Sequence, residues 1–575
     1  MKKFKKVLSV VLAVVLVAVS FIAPASAAQA LPLIVVNDLG WTPLVSGIGT
    51  SGEKQLFPLT EEETKVFSAA LVAAVVEGFT AYGVLYDNWH VFNSIVVPVL
   101  ARYVDPIAYN LDGTPKYDDV TDKSANCSMA NYPVDAVDKE EIKAQKAERE
   151  EIFSVFGTEY AEQYGDDYVY AFGYDWRKSP IDVAADLDAY IKSVKDETGA
   201  SKVNVVAVGL GSNVLLAYMN AFGGNELNNV VFASPAWQGT SLVGSLFTGN
   251  IELDIFAVEN YLVMLARGSF TTHFAAYLTS YIASWEGLSH EYFAKFNYIL
   301  QKMLPKIYSA VVSPMLSGMP GLWALVPADM YAEAKDYMFP DNSINAELEA
   351  KIDAYNLIQN NAQSIIESCE ADGMRFSIVC GYNSQLFPVN TTYPTSDVLI
   401  DTVYASGGAT CSKYLQAHDD WGKVYKQKIK DDHNHVSWDS RIDSSTCMFP
   451  EQTWFIKNLQ HSAYNPDYGT TDLVMWLLSA KKQQTVFSDT ENHPQFSLFN
   501  TYTRKTKGCP ADYLLGDVDM STAVTIADAR LALKMSAGQL EPTEDQLVLG
   551  DIDENGDISA TDARSILCMA LDIPY

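Results

Sequence analysis

The chain has 575 residues, 48% of them apolar, and a formal net charge of −31. An acidic excess of this size favours solubility and excludes nucleic acid and anionic lipid as partners on electrostatic grounds. The 12% aromatic content excludes a disordered chain, and the length calls for two or more folded units.

The chain opens with Lys2, Lys3, Lys5 and Lys6, an apolar run from Val7 to Ile22, and a small-residue site at Ala25-Ser26-Ala27 or Ala28-Gln29-Ala30. This pattern predicts a secretory signal peptide over 1–27, too short in its apolar core to span a bilayer, whose removal leaves a mature charge of about −35. Later apolar stretches such as "FSAALVAAVVEGF" are interrupted by Glu77 or polar residues and read as core helices, so no membrane span is expected after signal removal. The seven cysteines are too few for a disulfide scaffold. Outside the cell, Cys369 could pair with Cys380 and Cys411 with Cys447, or the thiols could stay free.

From residue 31 to about 500, β-branched runs alternate with helical periodicity, which predicts an α/β domain. "LPLIVV", "VNVVAV", "NNVVFAS", "RFSIVCG" and "TWFIKN" read as buried strands. Residues 138–153 read as a solvated charged helix, and "IDVAADLDAYIKSVKDETG" as a helix capped by Asp182 and stopped by Gly199. Residues 242–370 are largely helical and aromatic, as an inserted cap would be. "DDHNHVSW" (431–438) offers two histidines and two aspartates but reads as a polar surface loop rather than a metal site.

The segment 203–219, "VNVVAVGLGSNVLLAYM", is a strand, a sharp turn and a helix, the setting of the G-x-S-x-G nucleophile elbow. Here Gly209 stands where the serine belongs. Glycine reaches a strained corner without a Cβ penalty, so the fold survives the exchange and the hydroxyl is lost. Ser212 lies about 4.5 Å further along the helix, beyond the 3 to 3.5 Å of a near-attack geometry. Thr240 and Ser241 are possible relocated nucleophiles without a supporting motif.

"FGYDWRKSP" (172–180), the corner, "VVFASPAWQGTSLVG" (230–244), "DTVYASGGATC" (401–411) and "IDSSTCMFPEQTWFIKNLQH" (442–461) occur in the order of the lipase and lecithin-cholesterol acyltransferase-like branch of the α/β-hydrolase fold, which the domain resembles. The resemblance implies a Ser-Asp-His triad, with position 209 for the nucleophile, Asp401 for the acid (Asp397 competing) and His461 for the base. It also implies backbone N–H donors to a developing oxyanion at Leu210 and, in the turn Asn37-Asp38-Leu39-Gly40-Trp41, at Leu39. In that turn Asp38 would bring a carboxylate near the same spot and oppose an oxyanion. Asp175, Trp176 and Arg177 match a family signature and read as structural. A serine returned to position 209 would be expected to restore reactivity.

After a linker at 501–510, residues 511–575 carry an internal repeat: "GDVDMSTAVTIADARLAL" returns as "GDIDENGDISATDARSIL", 34 positions on. The second copy places Asp551, Asp553, Asn555, Asp557, Ser559 and Asp562 at positions 1, 3, 5, 7, 9 and 12 of a loop that turns at Gly556, the spacing that suits Ca²⁺. The first copy offers Asp517, Asp519, Ser521, Thr525 and Asp528, but has Thr522 where glycine is usual and is expected to bind more weakly. The tail resembles a type I dockerin, which implies a small all-α calcium domain that docks onto a cohesin module of a cellulosome scaffold.

Together these readings predict a secreted, cellulosome-bound hydrolase homologue, catalytically impaired and retained for binding or structure in a setting of polysaccharide degradation. The alternatives are an active carboxylic-ester hydrolase using a displaced nucleophile or His461-activated water, and a passenger domain behind a functional dockerin. An acyl group or a plant cell-wall ester is the expected ligand.

Overall fold

The computed structural model describes residues 30–60, 62–66, 90–124, 126–134, 138–252, 307–387, 394–414, 427–430, 432–461, 463–510 and 512–573, with a few isolated positions between 253 and 305 and at 392. The expected signal peptide, the stretch 67–79 and much of the cap lie outside the described residues. Among the described residues, no helix is long and apolar enough to cross a membrane.

The large domain is α/β. The strands of its central sheet are β1 (Leu33–Val36), β2 (Val169–Phe172), β3 (Val203–Gly209), β4 (Leu227–Pro235), β5 (Arg375–Tyr382), β6 (Thr453–Lys457), β7 (Phe496–Asn500) and β8 (Lys505–Cys509). They form one sheet in the order β8-β7-β6-β5-β4-β3-β1-β2, parallel except for the β7–β8 hairpin. Strands buried on both faces need continuous apolar runs, which is why all five strands expected from the sequence are present. One expectation fails here: 505–509, read as linker, is the edge strand β8. Lys505 is exposed and Lys507 pairs with Asp545 of the tail, as an edge tolerates, and both hide the strand from an apolar-run criterion.

Helices cover the sheet. Helix α1 (Lys139–Tyr164) has a solvated charged start, but its second half buries Phe153, Phe156 and Tyr160 under the sheet. Helix α2 (Pro180–Thr198) is capped by Ser179, whose hydroxyl accepts from the Ile181 N–H; Asp182, the expected cap, sits in the first turn. Helix α3 (Gly211–Phe222) follows β3 and is buried through most of its length. The described part of the cap is helical, including α4 (Ala346–Asn360) and α5 (Ala362–Ala371), and surrounds a satellite core of Phe247, Trp323, Val326, Tyr331 and Leu348. All seven cysteines are unpaired thiols, so neither expected disulfide is formed.

Because β1 is flanked by β2 on one side and β3 on the other, the chain order reverses between β1 and β3. Crevices at the carboxyl ends of strands form at such a switch point. Residues 37–41 leave β1 there, and the corner at Gly209 leaves β3. The tail, with helices α6 (Ile526–Ser536), α7 (Glu544–Gly550) and α8 (Ala560–Leu571), has its own core of Val518, Ala532, Ile558 and Ile566.

Candidate functional site

The corner between β3 and α3 has the expected form. Gly209 sits at φ +48°, and Leu210 already has right-handed helical angles. Gly211 is required for a different reason: a Cβ there would stand 2.4 Å from the Val36 carbonyl oxygen, so β1 and α3 could not close up.

At Gly209 the obstacle is a side chain. A Cβ built on it would lie 2.0 Å from Asp38 Oδ1 and 2.6 Å from Oδ2. The Asp38 carboxylate therefore fills the space that a side chain at 209 would use. Its Oδ1 accepts the Leu210 N–H at 2.7 Å, and its Oδ2 lies 2.8 Å from His461 Nε2. On the far side of the ring, His461 Nδ1 lies 2.8 Å from Asp397 Oδ2. The sequence placed a carboxylate near this spot; the structure puts it in hydrogen-bonded contact with both the imidazole and the corner amide.

The acid facing His461 is Asp397, whereas the Asp401 carboxylate is bonded to Ser241. Asp397 is held in a tight turn in which its Oδ1 accepts the Leu399 and Ile400 N–H groups, with Val398 at φ +94° between them. A β-branched residue in that region is strained, and such strain concentrates where a side chain must be aimed. The Asp397 carbonyl also accepts the His461 N–H at 2.8 Å. Gly381 at the end of β5 makes room, since a Cβ there would lie 2.3 Å from the Leu459 carbonyl oxygen and 2.9 Å from Asp397 Cβ. Asp401 instead accepts from the Ser241 N–H at 2.7 Å and from the Ser241 hydroxyl, and burial raises its carboxyl above the usual range while those bonds oppose the rise.

The displaced serines and threonine are engaged elsewhere. The Ser212 hydroxyl donates to the Gly209 carbonyl and accepts the Ala236 N–H. Thr240 donates to the Leu399 carbonyl, and Ser241 belongs to Asp401. Leu39 packs on the core beside the turn, and Leu210 supplies the amide recorded at the corner. Asp175 and Arg177 form a buried two-pronged pair whose guanidinium also donates to the Ile107 and Val120 carbonyls, a structural clamp as expected.

The electrostatics follow from the geometry. Burial disfavours an imidazolium at 461, but the two carboxylates outweigh it and hold His461 well above its ordinary value. Each ring nitrogen faces a carboxylate oxygen at 2.8 Å, and since a carboxylate only accepts, this geometry favours a proton on both nitrogens. A cationic imidazole cannot accept a proton, and a corner amide already bound to a carboxylate has no free N–H for another anion. His461 also borders a cleft of about 380 Å³ with Trp41, Ser154, Phe156, Val208 and Tyr464 on its walls. Ser154 interrupts α1 there at φ +56°, ψ +171°, a conformation otherwise left to glycine, and nothing in the sequence marks it.

Among the described residues, carboxylate clusters that could hold a metal ion occur at Asp517–Asp519–Asp528 and Asp551–Asp553–Asp562, with ligand atoms within 4.8 Å of one another in each. The two loops are superimposable in pattern. Asp517 accepts from the Ser521 and Thr522 N–H groups, as Asp551 does from those of Asn555 and Gly556. Thr525 and Ser559 form capping boxes with Asp528 and Asp562 at the starts of α6 and α8. The side-chain oxygens of Asn555 and Asp557 bond within their own loop. The donor set, all hard oxygen, fits a hard divalent cation. Thr522 takes φ +73° where Gly556 takes +92°, so the first loop carries strain that the second avoids. The loop at 431–438 gives no such cluster among the described residues; buried His435 faces Gln495, and His433 stacks on Phe487.

No family model, curated protein or solved structure matches the chain.

Proposed function

We propose that this is a secreted, calcium-anchored protein built on an α/β-hydrolase-like domain that has given up ester hydrolysis and serves as a binding or structural component. The reading rests on one observation above all: the Asp38 carboxylate occupies the corner at Gly209, bonded to both the Leu210 N–H and His461. A hydrolase needs a nucleophile, a neutral base and a free oxyanion donor at that corner. Here position 209 carries no nucleophile, two carboxylates favour the protonated form of the base, and the Leu210 N–H is occupied. Anchoring falls to the tail, whose two loops would each take a Ca²⁺ through Asp517, Asp519 and Asp528, and through Asp551, Asp553 and Asp562. Its dockerin-like repeat points to a cohesin module as the outside partner and to a cellulosome as the location. An acyl group or a cell-wall ester in the cleft beside His461 is the ligand class this reading favours.

The test is reactivity toward a fluorophosphonate probe and short-chain nitrophenyl esters. The unaltered protein is expected to be silent. Gly209→Ser alone is also expected to stay silent, contrary to what the sequence suggests, because the new side chain runs into Asp38. Gly209→Ser combined with Asp38→Gly is expected to label. Strong labelling of the unaltered protein would overturn the proposal and favour a displaced nucleophile or His461-activated water.

A further inference from the structure

The fourth position of the second loop is Glu554, and its carboxylate reaches out of the tail into the large domain. Glu554 Oε1 lies 3.0 Å from Lys457 Nζ and 3.0 Å from Arg441 Nη2, and its Oε2 accepts from Asn383 Nδ2 at 2.9 Å. Asp439, fully buried, completes the group at 2.9 Å from Lys457. The side chains of Lys457 and Arg441 are 5% and 8% exposed, so this is an interior ion cluster that spans two folded units. The same loop packs tightly on the large domain at Gly556, where a Cβ would stand 2.6 Å from the Tyr502 ring.

What aims Glu554 is the loop backbone, with φ +58° at Glu554 and +92° at Gly556, and the Asn555 and Gly556 N–H groups donating to Asp551. Asp551, Asp553 and Asp562 repel one another when no cation lies between them, and a bound cation turns that repulsion into a rigid loop.

We infer that the second loop, when loaded with Ca²⁺, is a docking element for the chain's own large domain, with Arg441, Lys457 and Asn383 as its receptor. The inference rests on the calcium reading of the loop. Loading fixes the backbone, the backbone presents Glu554, and Glu554 neutralises two buried cations that Asp439 alone cannot balance. Stripping the ion frees Glu554 to leave, and desolvated Lys457 and Arg441 then draw water into the seam. The docking reaches toward the candidate site. Asn383 Nδ2 also donates to Asn458 at 2.8 Å, and Asn458 begins the turn that ends at His461.

The experiment is amide hydrogen exchange on the full-length protein, titrated with Ca²⁺ alone from a chelated start. Saturation is expected to slow exchange at residues 438–443 and 457–461 by about tenfold or more, the scale set by restoring a partner to buried charges. Glu554→Gln is expected to bind Ca²⁺ with unchanged stoichiometry yet lose that protection. Asp517→Asn, which disables only the first loop, is expected to keep it. Glu554→Lys, with intact near-ultraviolet dichroism as the check on folding, is expected to enlarge the radius of gyration even in Ca²⁺. Binding without protection, or protection that survives Glu554→Gln, overturns the docking. A chain that binds no Ca²⁺ at the second loop overturns the calcium reading itself.

Discussion

Two buried ion clusters hang on the same short stretch of chain, four residues apart. Lys457, the last residue of β6, joins Asp439, Arg441 and Glu554; His461 joins Asp38 and Asp397. The first cluster balances two cations with two carboxylates and bonds two folded units together. The second sets one imidazole between two carboxylates, and its extra negative charge lies beside the Gly209 corner. Both lie largely out of solvent, so burial alone does not tell the two arrangements apart. The difference lies in what each carboxylate displaces: Glu554 fills a niche of cations, whereas Asp38 fills the space of a side chain on a strained corner and takes up its amide.

That contrast can be pressed by substitution. Asp439→Ala leaves two desolvated cations with Glu554 alone and is expected to cost about 3–5 kcal/mol in a denaturant melt. Its carboxyl is held below the usual range because Lys457 and Arg441 outweigh its burial, so acid should weaken the same cluster. Asp38→Ala should cost less, about 1.5–3 kcal/mol, since it removes charge-assisted bonds at a partly open cleft. If the two losses were equal, the assignment of different roles would lose its energetic support.

The pH response sharpens the comparison further. The folded state raises the His461 value, so its contribution to stability is complete below about pH 6.5 and fades as pH climbs through the raised folded value. Melting temperature should therefore fall on the alkaline side, and Asp38→Ala should flatten that slope. The smallest effect belongs to the tail. Thr522→Gly should relieve the left-handed strain of the first loop and stabilise the metal-free tail by about 1 kcal/mol, read by thermal melting. A loss of stability there would mean that the threonine is favoured for a reason the backbone does not reveal.

Much of this is legible in the sequence alone. Strands buried on both faces announce themselves as Val- and Ile-rich runs, which located β1, β3, β4, β5 and β6, and with them Gly209 and His461 at strand ends. The 34-residue repeat revealed both loops. Three things were not legible, for definite reasons. Asp397 and Asp401 lie one turn apart, and only the strained turn at Val398 decides which one faces the imidazole. The turn after β1 already put Asp38 near the corner, but its bond to His461 was hidden, because the two lie 423 positions apart and meet only in the folded sheet. The strand at 505–509 is a lysine-bearing edge, for which neither apolar periodicity nor burial gives a signal.

Asp38 occupies the corner and favours a protonated His461, and nitrogen NMR of the His461 ring reads that proton. Two protonated ring nitrogens are expected at pH 7.5 in the unaltered protein, with the Nε2 proton becoming exchangeable and the ring titrating at lower pH in Asp38→Asn. A neutral ring at pH 7.5, with Nε2 unprotonated and Asp38→Asn without effect, would contradict it.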